Sequence, residues 1–283
     1  MKFIIGLLLT IGTAEAYTLN NNFGASFKDN NVKVRVAGNT VCTPANSGIT
    51  PGELEDMIKP AVDKFWNKVP TSALVLDASG ASEAINNINL GRLCSPTDQD
   101  CINDGTADPN GLIPPVTDII IACNSNPDNF GSNNVLAVTI PNKFSGKKIV
   151  GAVILINDFA PTFGSLSTSD KISVLAHEIG HAIGLGHSED SAALMYYRTV
   201  SLRTNLGQDD VDGVTYLYPM HVDAFGLSGG LLGSCGTIQN VGGKDDEPPS
   251  NPPFVQMGIS LGLMILIAEA YRLFKRTKTS SAF

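Results

Sequence analysis

Between Asn31 and Ala37, apolar Val32, Val34 and Val36 alternate with charged Lys33 and Arg35, the period-two pattern of a half-buried strand. The period then lengthens. Thr50-Pro51 opens a helix with Glu53 and Glu55 in its first turn, and Leu54, Ile58, Ala61, Val62, Phe65 and Trp66 follow at helical spacing up to Pro70. Residues 74–76 predict a short second strand. Residues 118–122, 135–140 and 149–156 predict three more, all rich in Val, Ile, Leu and Ala and separated by Asn, Gly and Pro. Residues 77–117 carry no such pattern and read as one long loop, more than a compact domain usually keeps without a purpose. After the last strand, Ser167-Thr168-Ser169-Asp170 supplies N-caps for a helix over residues 171–183, with Ile172, Leu175, Ile179 and Ile183 on its buried side. Strands and helices mixed in this order predict an α+β domain.

Both ends of the chain have their own character. Lys2 and the apolar run to Ile11 precede Ala14-Glu15-Ala16, with small residues where a signal peptidase reads, so residues 1–16 are expected to be a cleaved signal peptide. Residues 254–274, including Ile259, Leu261, Leu263, Met264, Ile265, Leu266 and Ile267, have the length of a transmembrane helix. Lys275, Arg276 and Lys278 behind it suit the cytoplasmic side, giving a type I anchor with a tail over residues 275–283, although Glu269 and Arg272 interrupt the run near its end. The Gly-, Ser- and Pro-rich residues 222–253 read as a flexible stalk. Residues 17–221 are left as the globular part, lumenal or extracellular.

A net charge of −8 leaves no basic face for a nucleic-acid backbone, which excludes that class of partner. In an oxidising compartment the five cysteines are expected to pair. Cys94 and Cys101 bracket six turn-prone residues, and Cys42 and Cys123 each follow a strand-like run. Those are the candidate pairs, with Cys235 left over; spacing alone does not fix the connectivity.

The candidate chemistry sits in eleven residues. His177 and His181 stand four apart, so on one helix they project from one face and can grip one ion, with Glu178 beside them able to reach a water. Catalytic zinc takes three protein ligands and one open position. Gly184 can adopt a positive φ that ends the helix, letting His187 arrive from outside as the third ligand. Three of the four histidines of the chain fall in this window.

The run resembles the metzincin signature H-E-x-x-H-x-x-G-x-x-H, and Met195 falls where the clan has its Met-turn. Ser188 directly after the third ligand, the run Ala193-Leu194-Met195-Tyr196, and Leu206, Asp209, Asp210, Gly213 and Tyr218 resemble the matrixin branch, the matrix-metalloproteinase-like enzymes. The resemblance implies a twisted, mostly parallel five-stranded sheet with one antiparallel edge strand, an active-site helix and a Met-turn. It implies one catalytic Zn²⁺ on His177, His181 and His187, with Glu178 as general base in hydrolysis of protein or peptide substrates. It gives Asp210 the support of the Met-turn, and it makes the strand containing Leu136 and Ala137 the edge with which an extended substrate pairs.

Three features depart from that pattern. Tyr197 stands where matrixins usually carry Pro and resembles the Tyr of the astacin and serralysin branches, which offers it a catalytic part; a pocket-lining or core Tyr accounts for it equally. The second, structural zinc of matrixins needs several histidines, and only His221 lies outside the motif. Their Cys-containing latency segment has no counterpart here. Two other readings remain open. The chain could be a membrane-anchored zinc-binding adhesion module without turnover, or the loop around Asp104 and Asp108 could take Ca²⁺, although a plain turn-rich loop explains the same residues.

Overall fold

A computed structural model describes residues 17–19, 24–197 and 203–220. The expected signal peptide, stalk, anchor and tail (residues 1–16, 222–253, 254–274 and 275–283), together with Cys235 and His221, lie outside the described residues. Among the described residues, no helix is long and apolar enough to cross a membrane.

The alternating run becomes strand β1 (Asn31–Val36), with Val32, Val34 and Val36 buried. Beyond it, Thr50 caps helix α1 (Pro51–Lys64) through a reciprocal box: Glu53 N donates to Thr50 Oγ1 (3.3 Å), and Thr50 N donates to Glu53 Oε2 (2.7 Å). The helix stops six residues short of the expected Pro70. Phe65 breaks the helical conformation, and Trp66 leaves it in a single tight turn (Trp66–Lys68). That turn aims the buried indole Nε1 at Ala176 O, 2.8 Å away.

Strand β2 (Val75–Asp77), strand β3 (Asp118–Asn124), strand β4 (Ala137–Ser145) and strand β5 (Lys148–Asn157) complete one sheet in the order β2-β1-β3-β5-β4. All neighbours are parallel except β4, an antiparallel edge. The sheet is thus the five-stranded one that the sequence resemblance implies. β3 and β5 are buried on both faces, which is why they read as unbroken apolar runs. Strand β4 runs five residues past the expected end at Ile140, because Pro141 sits on an outer strand and the register shifts immediately after it.

Each face of the sheet has its own cover. Ile119, Ile121, Ile154 and Ile156 pack with α1 and helix α3 (Thr168–Ala182). Ile120, Ala122, Val153 and Leu155 pack against Ile88, Leu93, Ile113 and Val116. The long segment between β2 and β3 is therefore the second layer of the domain. It also contains an unforeseen helix, α2 (Gln99–Ala107), whose turn-prone composition hides it from a periodicity argument.

Asparagine side chains staple this layer down. Asn124, fully buried, donates to Ile88 O (2.8 Å) and Gly91 O (3.2 Å) and accepts from Asn126 N and Asn129 Nδ2. Asn126 donates to Leu90 O, and Asn129 to Gly91 O. An amide side chain carries both donors and acceptors, so it pairs with irregular backbone that no strand accompanies. Disulfides Cys42–Cys123 and Cys94–Cys101 add covalent ties, with Cα separations of 5.2 and 5.7 Å. Asp104 lies within α2, and Asp108 accepts the nearby Asn110 N (2.7 Å).

Asn124→Ala leaves the buried Ile88 carbonyl without its donor and the Asn126 N–H without its acceptor. It should cost roughly 2 to 6 kcal/mol, at about 1 to 3 kcal/mol for each of these two unsatisfied buried groups. A shift of the urea midpoint together with faster hydrogen exchange across residues 88–93 checks this; an unchanged midpoint would contradict the stapling role.

Candidate metal centre and cleft

Helix α3 starts cleanly because Ser167 Oγ accepts Asp170 N (3.2 Å). It ends at a turn set by Gly184, whose φ is +111°. Leu185 N donates to Gly180 O (2.9 Å) and Gly184 N to His181 O (3.1 Å), the paired bonds of a Schellman end. A side chain at 184 would also collide with Ala25 O. The reversal brings His187 back to the helix, so His177, His181 and His187 offer ligand atoms all within 4.8 Å of one another. Among the described residues this is the one such group of histidine, cysteine and acidic side chains.

Two carbonyls fix which nitrogens face inward. His177 Nδ1 lies 2.8 Å from Leu194 O, and His181 Nδ1 lies 2.9 Å from Leu185 O. A carbonyl only accepts, so each Nδ1 carries the proton and each Nε2 keeps its lone pair for an ion. His181 Nε2 and His187 Nε2 stand 3.2 Å apart. Two nitrogens, each about 2.0 to 2.1 Å from one tetrahedral zinc, are separated by about 3.3 Å, so this donor set fits Zn²⁺. Burial, with the nearby His177 ring, pushes His181 down to about 3, and the same causes lower His187. Both rings therefore stay unprotonated at neutral pH, the form a metal needs.

Glu178, 8% exposed, has its carboxyl raised above its ordinary value by burial; the adjacent His177 ring and a hydrogen bond from Thr139 oppose that shift. A raised carboxyl is the state expected of a general base. It opens on a cleft of about 580 Å³ walled by Thr18, Leu93, Asn129, Thr139, Ile140 and His187. Sequence reasoning missed Thr18, Leu93 and Asn129, since each reaches the cleft from an element distant in the chain, whereas Thr139 lies on the strand expected above the cleft.

Beneath the triad, Met195 packs under α3 at Gly180, where a Cβ would collide with its Sδ and lie 2.8 Å from Trp66 Cζ2. Asp210, 2% exposed, accepts Leu194 N (2.6 Å), Met195 N (3.0 Å) and Gly207 N (2.7 Å) from the start of helix α4 (Gln208–Leu217). Burial raises its carboxyl, and the three amides pull the other way. Ser188 closes the turn: its N donates to Met195 O (2.7 Å), and its O accepts Tyr197 N (3.3 Å). Tyr197 itself is 50% exposed, its ring 4.8 Å from that of Tyr196, and it is not part of the cleft wall.

On β4, Leu136 O accepts Asn157 N (3.0 Å), so Leu136 turns its carbonyl toward β5. Antiparallel pairing alternates, which places the N–H and C=O of Ala137 and Thr139 on the free edge. The edge expected at Leu136 and Ala137 is thus carried by Ala137 and Thr139.

The matrixin family model matches residues 122–219. Metalloendoproteinase 1 of Glycine max is 53% identical over 55 residues, 18% of this chain and 18% of that protein. Human matrix metalloproteinase-27 is 50% identical over 48 residues, 16% of this chain and 9% of its own length. Karilysin of Tannerella forsythia is 34% identical over 97 residues, 34% of this chain and 21% of its own. The chain therefore matches less than a quarter of the length of each of these relatives.

Asp210→Ala leaves three backbone donors without their acceptor and frees the Leu194 carbonyl that orients His177. Zinc affinity should fall roughly 10- to 100-fold, the usual cost of losing an outer-shell partner. Competition with a chromogenic chelator measures it; affinity equal to the parent protein would refute the link.

Proposed function

We propose that the chain is a zinc-dependent endopeptidase that hydrolyses peptide bonds in proteins or peptides, a reading supported by the matrixin match over residues 122–219. The observation that carries this reading is the convergence of three imidazoles, with tautomers fixed for two of them, beside a buried carboxylate at the wall of an open cleft. When bound, zinc supplies Lewis acidity and brings the pKa of a water near neutrality.

The residues of the chain do the rest. An extended substrate pairs with the free backbone of Ala137 and Thr139, which sets its register along the cleft. Glu178 accepts a proton from the attacking water and returns it to the leaving nitrogen. His177, His181 and His187 keep the ion at a fixed point relative to that carboxylate, and Met195 and Asp210 keep the histidines in place. Tyr197 is a candidate donor to the oxyanion, on the strength of its position two residues after Met195.

The two disulfides suit an oxidising compartment, and the apolar residues 254–274 with their basic flank support a type I anchor holding the domain on the lumenal or outer face. Two experiments test the reading. Glu178→Gln should keep zinc and lose cleavage of a peptide library by at least about 100-fold, whereas His181→Ala should lose the metal, read by elemental analysis. Undiminished cleavage by the Gln variant would sink the mechanism. The expressed full chain should stay in the membrane pellet through alkaline carbonate and leave it in detergent; release by carbonate would refute the anchor.

A further inference from the structure

Thr139 joins two parts of the cleft that the catalytic motif does not connect. Its side chain points from β4 toward α3, on the same face as buried Ala137, and its Oγ1 donates to Glu178 Oε2 at 2.5 Å. The Glu178 carbonyl lies 3.2 Å from the same oxygen. Among the described residues, no other side chain donates a hydrogen bond to that carboxylate. A short O–H···O⁻ bond of this kind is among the stronger ones available to a neutral donor. By the alternation of pairing, the N–H and C=O of the same residue face the free edge of the sheet.

We propose that Thr139 is a positioning residue: its hydroxyl fixes the Glu178 carboxylate, and through one residue it ties the register of a paired substrate strand to the orientation of the base. The inference rests on the peptidase reading above. With Oε2 occupied by Thr139, Oε1 is left for the proton that Glu178 moves, so the carboxylate presents one oxygen in one orientation. Without the hydroxyl the carboxylate can rotate about its last bonds, and it has no fixed relation to the strand on which the substrate lies. The bond acts on the reacting geometry and not on substrate pairing, because pairing uses the backbone of Thr139, which a side-chain change leaves intact.

The test compares Thr139→Val, which keeps the shape of the side chain, with Thr139→Ser, which keeps the hydroxyl, in the zinc-loaded full chain. Thr139→Val should lower kcat about 10- to 100-fold, with KM and zinc content unchanged, and Thr139→Ser should recover most of that loss. If Thr139→Val does not fold, Thr139→Ala makes the same comparison. Full kcat in a folded variant lacking the hydroxyl, or a loss expressed in KM alone, would overturn the positioning role while leaving the peptidase reading intact. A wild-type protein that binds zinc and cleaves nothing overturns both.

Discussion

A single buried carboxylate decides where the metal centre can form. Asp210 accepts the amides of Leu194, Met195 and Gly207, and the carbonyl of that same Leu194 fixes His177. The chain of dependence runs from the first turn of α4, through one peptide group, to an imidazole. Desolvating a carboxylate is costly, and three amide donors offset it only if the turn keeps its shape. The turn, the helix start and the ligand orientation therefore stand or fall together. Gly180 completes the arrangement by admitting Met195 against α3 where any side chain would exclude it.

What could be read from the sequence was what is local. His177, His181, Gly184 and His187 lie within eleven residues, and a helix period plus one positive φ places them in space without tertiary knowledge. β3 and β5 were legible because a strand buried on both faces needs an unbroken apolar run. The Thr139 contact with Glu178 has no such local mark: the residues are 39 apart, and a threonine in a strand is ordinary. The same holds for Asn124, whose two carbonyl acceptors lie 33 to 36 residues away. Helix α2 escaped because Gly105 is the one residue it buries and its nine residues are mostly polar and turn-prone.

The second layer shows how a segment without regular structure can still cover a sheet. Ile88, Leu93, Ile113 and Val116 supply the apolar surface, and amide side chains take up the backbone groups that this irregular path leaves unpaired. The Cys94–Cys101 bridge closes its most polar part.

Strand β4 carries a further consequence. An open edge is a template for any extended chain, including another copy of the same protein. Here the regular register runs only to Pro141 before it slips, and by the alternation Pro141 falls among the residues whose N–H would face outward, a group proline lacks. The open ledge is thus only a few residues long. A guest strand finds full register only along that ledge, which leaves little for a foreign sheet to grow on.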